Sequence, residues 1–211
     1  YDWANSVYSL TITTAIFPIY YEAVTTSEDG DKTIDFLGWL LPNTVLYSYA
    51  LSFSFLLTAL IIPILSGIAD YSGKKKAFLR AFAYFGALSC GGMFFFYGNN
   101  VEFGILMAVF ASIGYSGSLV FYDAFLPEIA TPDRFDQLSA KGYSLGYIGS
   151  VILLILNLLV IENPAWFGLE DGTLPSRLAF LSVAIWWIGF ASYALKRLPT
   201  NPYRKKGSDH L

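Results

Sequence analysis

Placed at 100° per residue, Asp2, Asn5, Ser6, Ser9, Thr13 and Tyr20 fall in one narrow stripe of an otherwise apolar helix. Such a row of carboxylate, amide and hydroxyl groups can line a cavity for a polar solute, and it can equally glue one helix to another. A second row, Ser112, Ser116 and Asp123, shares a face at i, i+4 and i+11, with Tyr115 on its flank. Asp123 stands near the C-terminus of its helix, where a negative charge opposes the macrodipole. A salt bridge to Arg80, Arg134 or Lys141 and a substrate or proton role are both open to it. Catalysis has weaker support. Gly114-Tyr115-Ser116-Gly117 sets a serine between glycines, but a serine nucleophile needs a base. The only histidine is His210, in the tail beyond the last apolar run, and the only cysteine is Cys90. One cysteine excludes an internal disulfide or a cysteine-based metal cluster. No catalytic residue, metal site or cofactor is assigned, and Ser116 is read as a polar residue on a helix face.

The elements that must position these groups are membrane helices. Of 211 residues, 55% are hydrophobic, 18% aromatic and only 14% charged, against about 25% charged in a soluble domain. Six apolar runs, 3–21, 47–69, 77–97, 103–126, 142–161 and 178–195, each approach the roughly 20 residues a helix needs to cross a bilayer. They are continuous rather than alternating, which argues against a transmembrane barrel. The expected fold class is therefore an all-α membrane protein with a six-helix transmembrane bundle over 1–197. A polar segment over 198–211 reads as a cytoplasmic linker, and its His210 as a solvated tail residue. The chain starts at Tyr1 without a methionine, and no cleavable signal peptide is expected. A fragment trimmed at the front, with a second bundle beyond the linker, is expected.

Charge sets the orientation. If the 2–3, 4–5 and post-6 segments share a side, that side holds eleven of the thirteen Lys and Arg residues, leaving only Lys32 and Arg177 opposite. The positive-inside rule then makes both termini cytoplasmic. The lysines are read as topology signals rather than nucleic-acid contacts. Trp3, Tyr47, Tyr71, Tyr97 and Trp166 lie near run boundaries and fit interfacial belts. Among the external segments, 24–46 carries an amphipathic patch, Phe36–Leu41, expected in the interface. On the fifth run Gly142, Gly146 and Gly149 share a face, which permits close helix packing, with the partner helix expected outside this chain.

The 2–3 connection, Gly67-Ile68-Ala69-Asp70-Tyr71-Ser72-Gly73-Lys74-Lys75-Lys76, resembles the loop signature of the major facilitator superfamily. It departs from that signature at Ser66 and Tyr71, where glycine and a basic residue are usual. The opening Tyr1-Asp2-Trp3-Ala4-Asn5-Ser6 is more specific. It is similar to the start of the autophagy-related vacuolar amino-acid effluxer family, a branch of that superfamily. Phe121-Tyr122-Asp123-Ala124-Phe125-Leu126-Pro127-Glu128-Ile129 and the stretch Gly142 through Gly149 resemble that family too. A glycine-flanked serine also occurs in the rhomboid intramembrane proteases, and the missing intramembrane histidine tells against that reading.

The transporter resemblance implies two six-helix halves, each an inverted 3+3 repeat, with substrate between them and alternating access by rocking. The chain then reads as the N-terminal half of a secondary active transporter, a permease for a small-molecule solute such as an amino acid. Its partners would be the lipid bilayer and a missing C-terminal six-helix half. Asp2, Asn5, Ser9, Thr13, Ser112, Tyr115, Ser116 and Asp123 are expected to face the substrate cavity. Asp70, Gly73, Lys74, Lys75 and Lys76 are expected to form a cytoplasmic gate loop, with Asp70 aimed at a helix N-terminus in the missing half, where negative charge is stabilising. The alternative is a six-helix membrane scaffold or assembly partner with no transport cycle.

Overall fold

The structure, a computed structural model, describes residues 1–98, 100–169 and 172–199. Arg204, Lys205, Lys206, His210 and the expected linker beyond Pro199 lie outside the described residues.

The chain opens as one helical rod of three segments: α1 (Asp2–Val7), a π-helical stretch (Tyr8–Ile16) and α2 (Phe17–Thr25). The junction residues Tyr8 and Phe17 keep right-handed helical dihedrals, so the rod does not break. Thr11, Ile12, Thr13, Thr14 and Ile16 are β-branched and crowd the tighter α geometry. The Thr14 hydroxyl donates to the Ser9 carbonyl at 2.9 Å, five residues back, the spacing that a π turn creates. At the far end the rod is tied to the next helix. The Tyr21 hydroxyl donates to the Asn43 carbonyl at 3.0 Å, and the Asn43 amide donates to Thr25 Oγ1 at 2.9 Å.

Between them stands an antiparallel hairpin, β1 (Thr33–Phe36) and β2 (Trp39–Pro42), with Phe36 opposite Trp39. Leu37 (φ 55°) and Gly38 (φ 84°) both have positive φ, as a two-residue type I′ turn requires. The Gly38 N–H donates to Asp35 Oδ1 at 2.8 Å and helps to fix the turn. The segment Phe36–Leu41, expected as an amphipathic patch, is the tip of this hairpin, so the otherwise all-α chain carries one small sheet.

The remaining helices are α3 (Asn43–Ser72), α4 (Lys75–Gly92), α5 (Val101–Asp123), the short α6 (Leu126–Ile129), α7 (Phe135–Glu162) and α8 (Leu174–Arg197). Five helical stretches are long and apolar enough to cross a membrane: Asn43–Ser72, Lys75–Phe95, Val101–Ile129, Pro132–Glu162 and Leu174–Arg197. Six spans were expected. The first rod, diluted by its polar stripe from Asp2 to Thr13 and by Glu22, is not among the five.

Packing follows the small residues. A Cβ on Gly86 of α4 would lie 3.0 Å from the Gly114 backbone of α5, so these helices cross backbone to backbone. Gly117, one turn on, lies under the Phe82 ring. The glycines around Ser116 thus have a packing role. The first rod is held between α7 and α8, with Val7, Ile12, Phe17 and Trp187 fully or almost fully buried. By contrast α3 and α7 present apolar rows, such as Phe53, Leu56, Leu60 and Ile64 on α3, to the outside. Exposure of this kind suits a helix whose solvent is lipid.

Candidate functional site

The first turn of α1, the end of α5 and the start of α7 meet around Asp2. Its carboxylate is buried at 8% exposure, and the Tyr122 hydroxyl donates to Oδ2 at 2.8 Å. Close approach here depends on α7. A Cβ on Gly146 would stand 3.1 Å from the Asp2 carbonyl, and one on Gly149 would stand 3.0 Å from the Trp3 ring. The glycine face of Gly142, Gly146 and Gly149 is therefore filled by α1 of the same chain, which corrects the expectation of an outside partner. The sequence pattern marks a face able to pack closely but carries no information on which helix fills it.

Beside Asp2 lies a cleft of about 320 Å³, lined among others by Tyr122, Asp123, Lys141, Gly142 and Tyr143. Asp2 and Asp123 both line it. Of the three cations considered for Asp123, Lys141 shares this cleft, and among the described residues none reaches ion-pair distance. The cleft thus holds two acids and one base close to the end of the bundle.

The rest of the polar stripe runs deeper. Asn5 is 1% exposed, and neither atom of its amide finds a hydrogen-bond partner among the described residues. Thr11 Oγ1 is likewise buried and unpartnered. The Ser9 hydroxyl donates to the Ser6 carbonyl at 3.1 Å and also faces Tyr115. The Tyr8 ring packs 5.2 Å from Tyr115 and 5.5 Å from Trp187, with Thr13 against its hydroxyl. Tyr20 closes the stripe by donating to the Phe96 carbonyl. Ser116 is half-buried at the α4–α5 crossing. Ser112 does not join this group: it is buried and shares a 2.9 Å hydrogen bond with Ser54 of α3.

The loop residues form a second constellation. Gly73 (φ 66°) ends α3 in the left-handed region, and Lys74 precedes α4. Lys75 Nζ lies 3.4 Å from Asp70 Oδ1 and 3.1 Å from Glu128 Oε1. Lys76 Nζ donates to the Leu198 carbonyl at 2.8 Å, which pins the loop to the end of α8. Asp70 is thus paired within its own chain. Tyr122 and Glu128 were not singled out from sequence as site residues. A charge beside Pro127 in a short corner at a membrane helix end was the available signal for Glu128. Among the described residues no group of three His, Cys, Asp or Glu side chains is placed to hold a metal ion.

Residues 1–209 match the family described as "Vacuole effluxer Atg22 like". The uncharacterized MFS-type transporter YxiO of Bacillus subtilis (strain 168) is 35% identical, over 98% of this chain and 46% of its own length. Autophagy-related protein 22-1 of Penicillium rubens is 25% identical, over 92% of this chain and 43% of its own. Autophagy-related protein 22 of Pyricularia oryzae is 22% identical, over 83% and 33%. The chain spans about half the length, or less, of these curated relatives. No solved structure matches it.

Proposed function

The chain belongs to the vacuole effluxer Atg22-like family of membrane transporters, and on that premise we propose that it is the N-terminal half of a secondary transporter for small zwitterionic solutes such as amino acids. In this reading the first rod is the sixth membrane span beside the five apolar helices, and the six form one half of an alternating-access pair. The substrate passes between this half and a second one. The cleft at Asp2, continuing into Asn5, Ser9, Thr13 and Tyr115, is this half's share of the route. Asp70, Gly73 and Lys74–Lys76 form the cytoplasmic gate.

One observation carries the substrate class: Asp2, Asp123 and Lys141 line a single cleft. A zwitterion needs an anion for its ammonium and a cation for its carboxylate, and charge-assisted hydrogen bonds of both kinds are the strong ones. Asn5 supplies an unspent amide behind them. The test is counterflow of labelled neutral amino acids into liposomes holding the full-length protein. Uptake above empty liposomes is expected, with Asp2→Asn and Lys141→Gln each lowering it about tenfold or more, the value of one charge-assisted contact. Uptake of other solutes but no amino acid removes the substrate class. No uptake of any solute by correctly inserted protein leaves the scaffold reading in its place.

A further inference from the structure

The bundle carries a second, larger concavity of about 1110 Å³, which borders the cleft at Asp2 through Tyr1, Trp3, Tyr122 and Ile129 and extends away from it. It runs along α8 as a helical stripe through Ser182, Ile185, Trp186, Gly189, Phe190 and Tyr193, with Trp3 and Ala4 of α1 packed beside that stripe. The wall is rigid. The Trp186 indole N–H donates to the Trp3 carbonyl at 2.8 Å, the two indoles stack at 5.7 Å, and Phe190 packs 4.8 Å from Trp186. At Gly189 the groove is open, since an added Cβ would meet nothing within 4 Å. One end is apolar and deep in the helix. The other end is cationic: Arg197 lines it, its guanidinium 5.3 Å from the Tyr193 ring, and Lys76 sits on the carbonyl of Leu198, which also lines it. No carboxylate comes within ion-pair distance of Arg197 or Lys196 among the described residues.

We infer that this α1–α8 groove is a binding site for one anionic phospholipid, its acyl chain along Trp3, Trp186 and Gly189 and its phosphate at Arg197. A long apolar slot at membrane depth is filled by hydrocarbon if protein does not fill it, because water there would leave the aromatic walls badly solvated. What selects the headgroup is the charge at the mouth. A guanidinium binds phosphate through paired N–H donors, and basic pockets between helices at the cytoplasmic side take anionic headgroups. Arg197 and Lys196 in the last turn also complement the α8 dipole, but that role needs no groove beneath them and no preference among lipids. The inference stands independently of what the protein transports.

The test is native mass spectrometry of the full-length protein, released from nanodiscs of equal phosphatidylglycerol and phosphatidylcholine. One retained phosphatidylglycerol is expected in preference to phosphatidylcholine. Arg197→Gln should lower that preference about fivefold, the effect of one basic residue at an anionic surface, and Arg197→Lys should keep most of it. Gly189→Leu fills the slot and should lower retention of both lipids. Leucine is the better helix former, so the fold should survive the change. Equal retention of the two lipids, or a preference indifferent to both Arg197→Gln and Gly189→Leu, overturns the site. Retention of neither lipid means that the second half or a second copy covers the groove, which overturns it as well.

Discussion

Lys75 joins two carboxylates in different surroundings, and the difference separates stability from gating. The side chains of Lys75 and Glu128 are 19% and 16% exposed, whereas that of Asp70 is 60% exposed. Lys75→Met leaves Glu128 half-buried without its cation and should cost about 1.5–3 kcal/mol, the range for hydrogen bonds to charged groups. Asp70→Asn removes only an exposed pair and should cost about 1 kcal/mol or less. Melting of the detergent-solubilised variants checks this, and equal losses would undo the distinction. If Asp70 belongs to the gate, its variant should still slow the transport cycle while melting almost normally. At this scale the sequence carried the residue types and the faces. Asp2 and Asp123 do share a cleft, and the loop residues do gather. Ser112, expected to face the cavity, is hydrogen-bonded to Ser54, 58 residues away in sequence, because a helical stripe fixes direction but not neighbours.

Each apolar run overlaps a helix. α3, α7 and α8 run past theirs at both ends because their polar ends leave the hydrocarbon while their backbone bonds continue, whereas α4 and α5 stop short of the ends of theirs. α7 begins at Phe135, seven residues before the run that marked it. The π stretch was not legible, since nothing in an apolar, β-branched run distinguishes a wide turn from a normal one. The hairpin was missed for a related reason: its turn is Leu37-Gly38, without the Asn-Gly or Asp-Gly signal that type I′ turns usually carry. Glycine roles became readable only with neighbours in place, and they predict opposite signs for one substitution. Gly114 abuts the Gly86 backbone, while Gly67 of α3 has nothing within 4 Å of a Cβ. Gly114→Ala should destabilise by about 1–3 kcal/mol through overpacking. Gly67→Ala should be neutral or stabilise by up to about 1 kcal/mol, because it stiffens a helix interior at no steric cost. Thermal unfolding of this chain in detergent checks both, and a loss at Gly67 matching that at Gly114 would contradict the crossing geometry.

For the whole molecule, the basic side proposed from sequence acquires a physical location. Lys75 reaches Glu128 in the 4–5 corner, and Lys76 reaches the end of α8, so the 2–3, 4–5 and post-6 segments share one end of the bundle. The other end carries the hairpin and Arg177, whose Nε–H donates to the Phe94 carbonyl at 2.7 Å while the guanidinium sits over the Phe94 and Tyr97 rings. Among the described residues that end carries only two Lys or Arg residues, Lys32 and Arg177. By the positive-inside rule we propose the Lys74–Lys76 end as the cytoplasmic one. Cys90 is fully buried and can be replaced by alanine to give a cysteine-free background. On it, Asp29→Cys, in the exposed connection before the hairpin, should react with a membrane-impermeant thiol reagent in intact cells. Lys74→Cys, exposed at the opposite end, should react only after the membrane is opened. Lys74 is chosen over Lys75 because the latter's half-buried ion pairs make a slow reaction ambiguous. Labelling of Lys74→Cys but not Asp29→Cys in intact cells would invert the molecule. The groove at Arg197 would then open toward the opposite leaflet, and the loop at Asp70 would become an external gate.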